Sequence, residues 1–328
     1  MHLEHLELLA CPDCHGSLSC TRTEKGTTAV TLIEGQLACS ACHREYAVVS
    51  GVPRFVPSEN YAAGFGLEWT KHARTQFDTY SGVRVSEQRF FRQTHWPRDL
   101  HGEFILEVGS GAGRFTEQAA NTGATVVSLD YSYAVDANYA SNGTRPNVLI
   151  VQADVFTMPF RAGTFDRLFC FGMLQHTPSP SRAFQALPPV LKSGGALCAD
   201  IYRLSLMRTV LQTKYLVRPF TRNMDPGRLY ERVKTWVDFM WPVASLIRRL
   251  PKGHGINWRL MVADYTPLGL TGDMLKEWAY LDTFDMLAPR YDRPATLRSF
   301  RRWAVAAGLT AIEAEHSPHG ITLRAKTA

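Results

Sequence analysis

Apolar positions gather most densely in the middle of the chain, in five short runs at residues 104–108, 126–129, 148–151, 164–172 and 194–202. Each run is too short for a buried helix and is apolar at consecutive as well as alternate positions, the pattern of strands covered on both faces. Helical spacing appears between them: Gly113 through Ala120 opens a helix directly after a glycine-rich turn. Near the C-terminus Leu297, Phe300, Ala304 and Ala307 mark one face of a helix over 294–307 that stops at Gly308. Two alternating runs, 310–315 and 321–325, then predict a closing antiparallel hairpin. Strands alternating with helices imply an α/β chain built on a doubly wound sheet of seven strands.

The first sixty residues follow another pattern. Cys11-Pro-Asp-Cys14 and Cys39-Ser-Ala-Cys42 are separated by 24 residues, within which 28–37 alternates like a strand between glycine turns at Gly26 and Gly35. Two CxxC turns joined by a hairpin place four thiolates around one ion, a tetrahedral sulfur site that suits zinc. Cys11, Cys14, Cys39 and Cys42 are the metal candidates; His15, His43 and Cys20 lie close by, but a closed site needs only four donors. With no position left for water, Zn2+ here is expected to be structural, folding a module too small for its own core. Seven cysteines, an odd number, fit a reducing compartment better than a disulfide framework. The start, MHLEHLELLACP, lacks the basic and apolar regions of a secretion signal, so a cytoplasmic chain without a transmembrane segment is expected. The stretches LLACPDCHGSL and LACSACHREYAVVSGVPRFVP resemble the small zinc-ribbon activator subunit that partners RNA and protein methyltransferases, over about residues 6–57. That resemblance implies a zinc ribbon at 1–58 that serves this chain's own enzyme domain as an interface or substrate-presenting element.

Residues 105–115, ILEVGSGAGRF, carry glycines at 109, 111 and 113. A dinucleotide turn, GxGxxG, needs its third glycine at 114, which is Arg114. The GxGxG spacing preceded by Glu107 instead resembles the first motif of class I S-adenosylmethionine-dependent methyltransferases, and three further features follow in the family's order. Asp130 ends the second strand, placed to accept both ribose hydroxyls. Ala153, Asp154 and Val155 follow the third, where the family's acid takes the adenine amino group. The fourth strand runs out at Phe171 and Gly172, at the carboxyl edge where doubly wound sheets bind ligands. The resemblance implies a Rossmann-like methyltransferase core over 103–203 and 294–328 with S-adenosylmethionine as cofactor. Its cofactor-side residues would be Glu107, Gly109, Ser110, Gly111, Gly113, Asp130, Tyr131, Ala153, Asp154, Val155 and Phe171. In similar enzymes the segment before the core, here within 59–102, folds over the cofactor, where Arg74 or Tyr80 could pair with its carboxylate; a helix packed on the core is the plainer alternative.

The acceptor is less legible, because an activated methyl group demands mainly alignment. Neither the Asn/Asp-Pro-Pro-aromatic pattern nor the Pro-Cys pattern of base methyltransferases follows strand four. The sequence there looks like small-molecule enzymes, with His176 as a candidate general base or packing residue. An insertion over 204–293 falls where the family elaborates a substrate lid. The net charge of the whole chain is +6, yet 201–260 alone holds twelve Lys or Arg against three acids. Its aromatic and basic residues suit an anionic or amphiphilic acceptor, a membrane surface, or simply a solvated helical cap. Tyr202, Asp282 and Tyr291 are the further candidate proton acceptors. The expected reaction is methyl transfer to a small or carrier-linked metabolite, such as a sugar or secondary-metabolite precursor. The alternatives are an RNA base methyltransferase and a methyltransferase-like scaffold that binds a partner through its ribbon.

Overall fold

The computed structural model describes residues 1–23, 30–57, 63–205 and 212–328. At the N-terminus β1 (Leu18–Thr23), β2 (Gly35–Cys39), β3 (Glu45–Val49) and β4 (Val52–Pro53) form an antiparallel sheet in sequence order. Of the strand expected over 28–37, residues 35–37 belong to β2, with Gly35 paired to Thr23 and not in a turn, while 30–34 lie outside any strand; Gly26 and residues 28–29 lie outside the described residues. Leu32 explains the difference. Its side chain is buried, its amide donates to the Met1 carbonyl at 2.9 Å, and the terminal ammonium donates back to the Leu32 carbonyl at 2.8 Å, so this segment pairs with the start of the chain.

Three helices precede the core: α1 (Ala63–Lys71), α2 (Asp78–Ser81) and α3 (Val85–Thr94). The core runs β5 (Phe104–Val108), α4 (Arg114–Ala120), β6 (Thr125–Asp130), α5 (Ala134–Asn142), β7 (Val148–Gln152), β8 (Phe165–Cys170), α6 (Pro180–Gln185) and β9 (Leu191–Ile201). Next come α7 (Thr213–Thr221), α8 (Pro226–Ile247), α9 (Gly253–Arg259) and α10 (Gly272–Leu287), and then α11 (Leu297–Ala306), β10 (Thr310–Ser317) and β11 (Gly320–Lys326). The seven-stranded sheet has the order β10-β11-β9-β8-β5-β6-β7, parallel except for the closing hairpin, whose β11 runs antiparallel to β9. Strand order reverses between β5 and β8, which opens a crevice at their carboxyl ends. Two boundaries differ from expectation. β9 starts at Leu191, which pairs with Phe165, and the residue before α11, Thr296, caps it by accepting from Ser299 N, while Ala295 is held in backbone bonds to Tyr202 and Leu204.

Alternate strand residues feed two apolar layers. Leu106, Val127, Leu149, Val151 and Leu168 face a layer shared with Phe184, Phe300 and the ribbon's Leu9, Leu18, Leu32 and Leu37. Ile105, Val126, Ile150 and Phe169 face the other, with Phe90 of α3 and Phe115 of α4. The ribbon therefore shares its core with the sheet. Its attachment continues at the sheet edge, where Arg54 forms a parallel bridge with Gln152 and Phe55 N donates to the Gln152 carbonyl at 2.8 Å. Pairing there covers the exposed side of β7. The α7–α10 helices form a separate apolar cluster in which Leu229, Val233 and Val237 of α8 meet Ala279, Phe284 and Leu287 of α10.

Candidate active site and thiolate cluster

Cys11, Cys14, Cys39 and Cys42 converge, with all four sulfurs within 4.8 Å of one another and the Cys11–Cys42 and Cys14–Cys39 pairs at 3.6 and 3.4 Å. A tetrahedron with zinc–sulfur bonds of about 2.3 Å has sulfur–sulfur edges of roughly 3.8 Å, so the donor set is compatible with zinc. Both CxxC turns end on a residue in the left-handed region, His15 at φ 57° and His43 at φ 60°, and neither imidazole joins the cluster. Cys20 is on β1 and is likewise outside it. Gly16 makes the approach possible: a Cβ there would stand 2.8 Å from the Cys39 sulfur. The Tyr46 hydroxyl lies 3.0 Å from Cys11 Sγ and donates to Asp13 at 2.9 Å.

At the crevice between β5 and β8 lies a cavity of about 890 Å³, within the ~300–1,000 Å³ range of small-molecule sites. Gly109, Ser110, Gly111, Asp130, Tyr131, Ala153, Asp154, Val155 and Phe171 line one part of it. Backbone conformation explains the first glycine: Gly109 has φ 86° and a Cβ would sit 2.5 Å from Met173 Cβ. Asp130 accepts from Gly111 N at 2.9 Å through Oδ2, and from Ser132 N and Oγ at 2.8 and 2.7 Å through Oδ1. Burial raises its carboxyl above the usual range, against those hydrogen bonds. Asp154 accepts from Phe156 N at 3.0 Å, and burial raises it as well. Carboxylates ending two adjacent strands beside a glycine turn suit a ligand that offers ribose hydroxyls and an exocyclic amine, with no pyrophosphate cradle.

The other part of the cavity is walled by His176, Tyr202, Glu68, Tyr265, Trp278, Asp282 and Asp285. Burial, helped by Asp285, pushes the Asp282 carboxyl up to about 7 against Arg114. Burial with Asp285 and Asp282 also raises Glu68 well above its ordinary value. Glu68 Oε2 and Asp282 Oδ2 are both buried without a hydrogen-bond partner among the described residues. Tyr202 and Tyr265 stay protonated, because burial and then the neighbouring acids push both phenols far up. His176 Nδ1 is 3.0 Å from the Tyr291 carbonyl, which can only accept, so Nδ1 is the donor in that bond. A cationic rim of Arg89, Arg92 and Arg114 surrounds His319, whose imidazole is lowered to about 2 by burial and then by those arginines. Arg89 is itself paired with Asp200 at 2.7 Å.

Five expected site residues do not line the cavity. Arg74 is exposed and lies over the exposed Tyr80 ring, 5.4 Å from its centroid, and the Tyr80 hydroxyl donates to Glu277 at 3.2 Å, so both are engaged away from the glycines. Glu107 is sealed below the turn, accepting from Thr116 and from Ser128 at 2.8 Å, and burial pushes its carboxyl up to about 8. Gly113 faces α5, where a Cβ would stand 2.1 Å from Asn138 Oδ1. Tyr291 contributes its carbonyl to His176. Conversely, Arg89, Arg114, Tyr265 and His319 line the cavity without having been singled out in the sequence, whereas Glu68 and His72 reach it from the segment expected to fold over the cofactor. Trp69 does come from the segment expected to cover the cofactor; its indole lies 3.1 Å from where a Gly111 Cβ would be. His72 is bonded to the Tyr230 hydroxyl of α8 at 2.8 Å, and Thr75 to Glu277 of α10, so α1 and its extension are tied to the helical roof.

A family model described as a methyltransferase domain matches residues 106–199, and one described as Trm112p-like protein matches residues 2–51. A demethylmenaquinone methyltransferase of Thermobifida fusca is 31% identical over 54% of this chain and 80% of its own length. An uncharacterized chloroplastic methyltransferase of Arabidopsis thaliana is 22% identical over 67% of this chain and 68% of its own. A ubiquinone biosynthesis O-methyltransferase of Xanthomonas oryzae is 32% identical over 30% of this chain, and the match spans only 43% of that enzyme. Among solved structures, the complex between the Haloferax volcanii Trm112 methyltransferase activator and the putative methyltransferase aligns at 12% identity over 80% of this chain and 97% of that one, with a TM-score of 0.47. The chain belongs to the S-adenosylmethionine-dependent methyltransferases. Its first fifty residues form a Trm112p-like domain fused to the enzyme.

Proposed function

We propose that the enzyme methylates a small or carrier-linked acceptor held beneath α8–α10, with Asp282 taking the acceptor's proton. The observation that supports this most is the single cavity running from Gly109 and Gly111 to Asp282 and Tyr202 under a helical roof. Asp130 would hold the ribose hydroxyls, Asp154 the adenine amino group, and Gly109–Gly111 the amino-acid part of the cofactor, with Tyr131, Ala153, Val155 and Phe171 flanking it. When bound, S-adenosylmethionine supplies an electrophilic methyl group on its sulfonium. The acceptor's oxygen or nitrogen would point at that group, and Asp282, its carboxyl made more basic by burial and Asp285, would receive the proton as the new bond forms. Tyr202 and Tyr265, kept protonated, would orient the acceptor by donating to it. Zn2+ would sit in the four-thiolate site as a structural ion, and a ribbon that shares its core with the sheet would serve this chain's own enzyme domain.

The test is to incubate the zinc-loaded protein with methyl-labelled cofactor and fractionated cell extract. Label in the low-molecular-mass or carrier-bound fraction supports the reading, and label confined to RNA overturns it. Asp282→Asn should lower turnover by roughly 10²-fold or more while leaving S-adenosylhomocysteine affinity unchanged.

A further inference from the structure

The helices above the cavity carry more apolar surface than the fold uses. On α8 one face is buried through Leu229, Val233, Val237 and Ala244, as an amphipathic helix requires. A second stripe, flanking the buried one, is also apolar: Trp236 is 42% exposed, Phe239 73%, Val243 45% and Leu246 65%, with Leu250 just beyond the helix at 54%. Spacings of three and four residues put these side chains on one stripe, and from Arg232 to Leu246 it extends about 21 Å at 1.5 Å per residue. The preceding helix, α7, has its polarity inverted. It buries Lys214 and Arg218, which reach Asp292 and the Pro289 carbonyl, and it exposes Leu216 at 72% and Phe220 at 80%.

Charge selects what covers this surface. Arg222, Arg228, Arg232, Lys234, Arg249 and Lys252 are exposed, and none forms a salt bridge among the described residues. The flanking Asp238 is already neutralised by Lys276 at 2.6 Å. Cations stand at both ends of the stripe, Arg228 and Arg232 at one and Arg249 and Lys252 at the other. A second copy of the chain, laid parallel or antiparallel, would bring arginine against arginine or lysine. A negatively charged lipid surface satisfies both features, accepting the apolar side chains at the acyl boundary and the cations at its headgroups. No helix among the described residues is long and apolar enough to cross a membrane, so the attachment is peripheral.

We propose that α7 and α8 dock the enzyme reversibly on an anionic bilayer. Thr213, Lys214 and Tyr215 of α7 and Trp258 and Arg259 of α9 line the cavity, so docking sets its rim close to the headgroups, where an amphiphilic acceptor can enter. Binding to lipid is independent of which residue takes the proton, and it is measured without turnover.

Flotation of the full-length, zinc-loaded protein with vesicles of phosphatidylglycerol and phosphatidylcholine, compared with phosphatidylcholine alone, tests this. Binding to the anionic vesicles that weakens with salt is expected. The double variant Phe239→Asp with Leu246→Asp should weaken it roughly 10-fold or more, and Arg228→Glu with Arg232→Glu should weaken it on anionic vesicles. Unchanged S-adenosylhomocysteine affinity verifies that these surface variants remain folded. Absence of vesicle binding overturns the proposal, as does binding insensitive to both variants. A homodimer in light scattering that Phe239→Asp dissociates also overturns it, since a second copy would then cover the stripe.

Discussion

Asp130 has its orientation fixed before any ligand arrives, because the Gly111 and Ser132 amides hold its two oxygens from the protein side. Asp130→Ala should therefore cost about 1.5–3 kcal/mol of cofactor binding, read by calorimetry as a roughly 10- to 100-fold weaker Kd, with a lower melting temperature because the Gly111 and Ser132 amides lose their acceptor. Glu107, from the same motif, behaves differently. Its folded carboxyl titrates near 8, well above the ordinary value, chiefly because it is buried. Between the unfolded pKa and about 8 the unfolded chain has lost a proton that the folded chain retains, so this residue's contribution makes stability fall as pH rises through that window. Glu107→Gln keeps acceptors for Thr116 and Ser128, and the urea midpoint of this variant should decline less between pH 5 and pH 8 than that of the natural chain. The two acids were equally visible as motif members. Which one faces a ligand depends on whether the side chain emerges above or below the strand ends, and spacing along the chain does not carry that information.

Among the elements, α1 lies over the glycine turn. Glu68 and Trp69 line the cavity, and Gly66 lets the helix approach α5, since a Cβ there would lie 3.2 Å from Tyr133 Cβ. Removing the indole by Trp69→Ala should weaken S-adenosylhomocysteine binding by about 1 kcal/mol, measurable by titration. The core strands were legible because consecutive apolar residues bounded by turns admit few other structures, and the glycine turn because its backbone needs positive φ. In the ribbon, 35–37 follow the strand pattern of the sequence, but around Leu32 the same alternation meets a partner, the first residues of the chain, that is distant in sequence. Arg89, Arg114 and His319 reach the cavity from α3, α4 and the closing hairpin, and no local pattern marks side chains assembled from three separate places.

At the scale of the molecule, the ribbon and the sheet share an apolar layer, and Arg54 joins them through Gln152 and Asp136. With zinc in the four-thiolate site, its removal should therefore weaken the enzyme domain along with the ribbon. Cys39→Ser, or chelation, is expected to lower the melting temperature by on the order of 10 °C, with one calorimetric transition for the whole chain; an unaltered main transition would show that the ribbon unfolds separately. The bonds from His72 to Tyr230 and from Thr75 to Glu277 have an outcome of another kind. They latch α1, whose Trp69 lies over the glycine turn, to α8 and α10 above the rest of the cavity, so a movement that lifts one cover should lift the other.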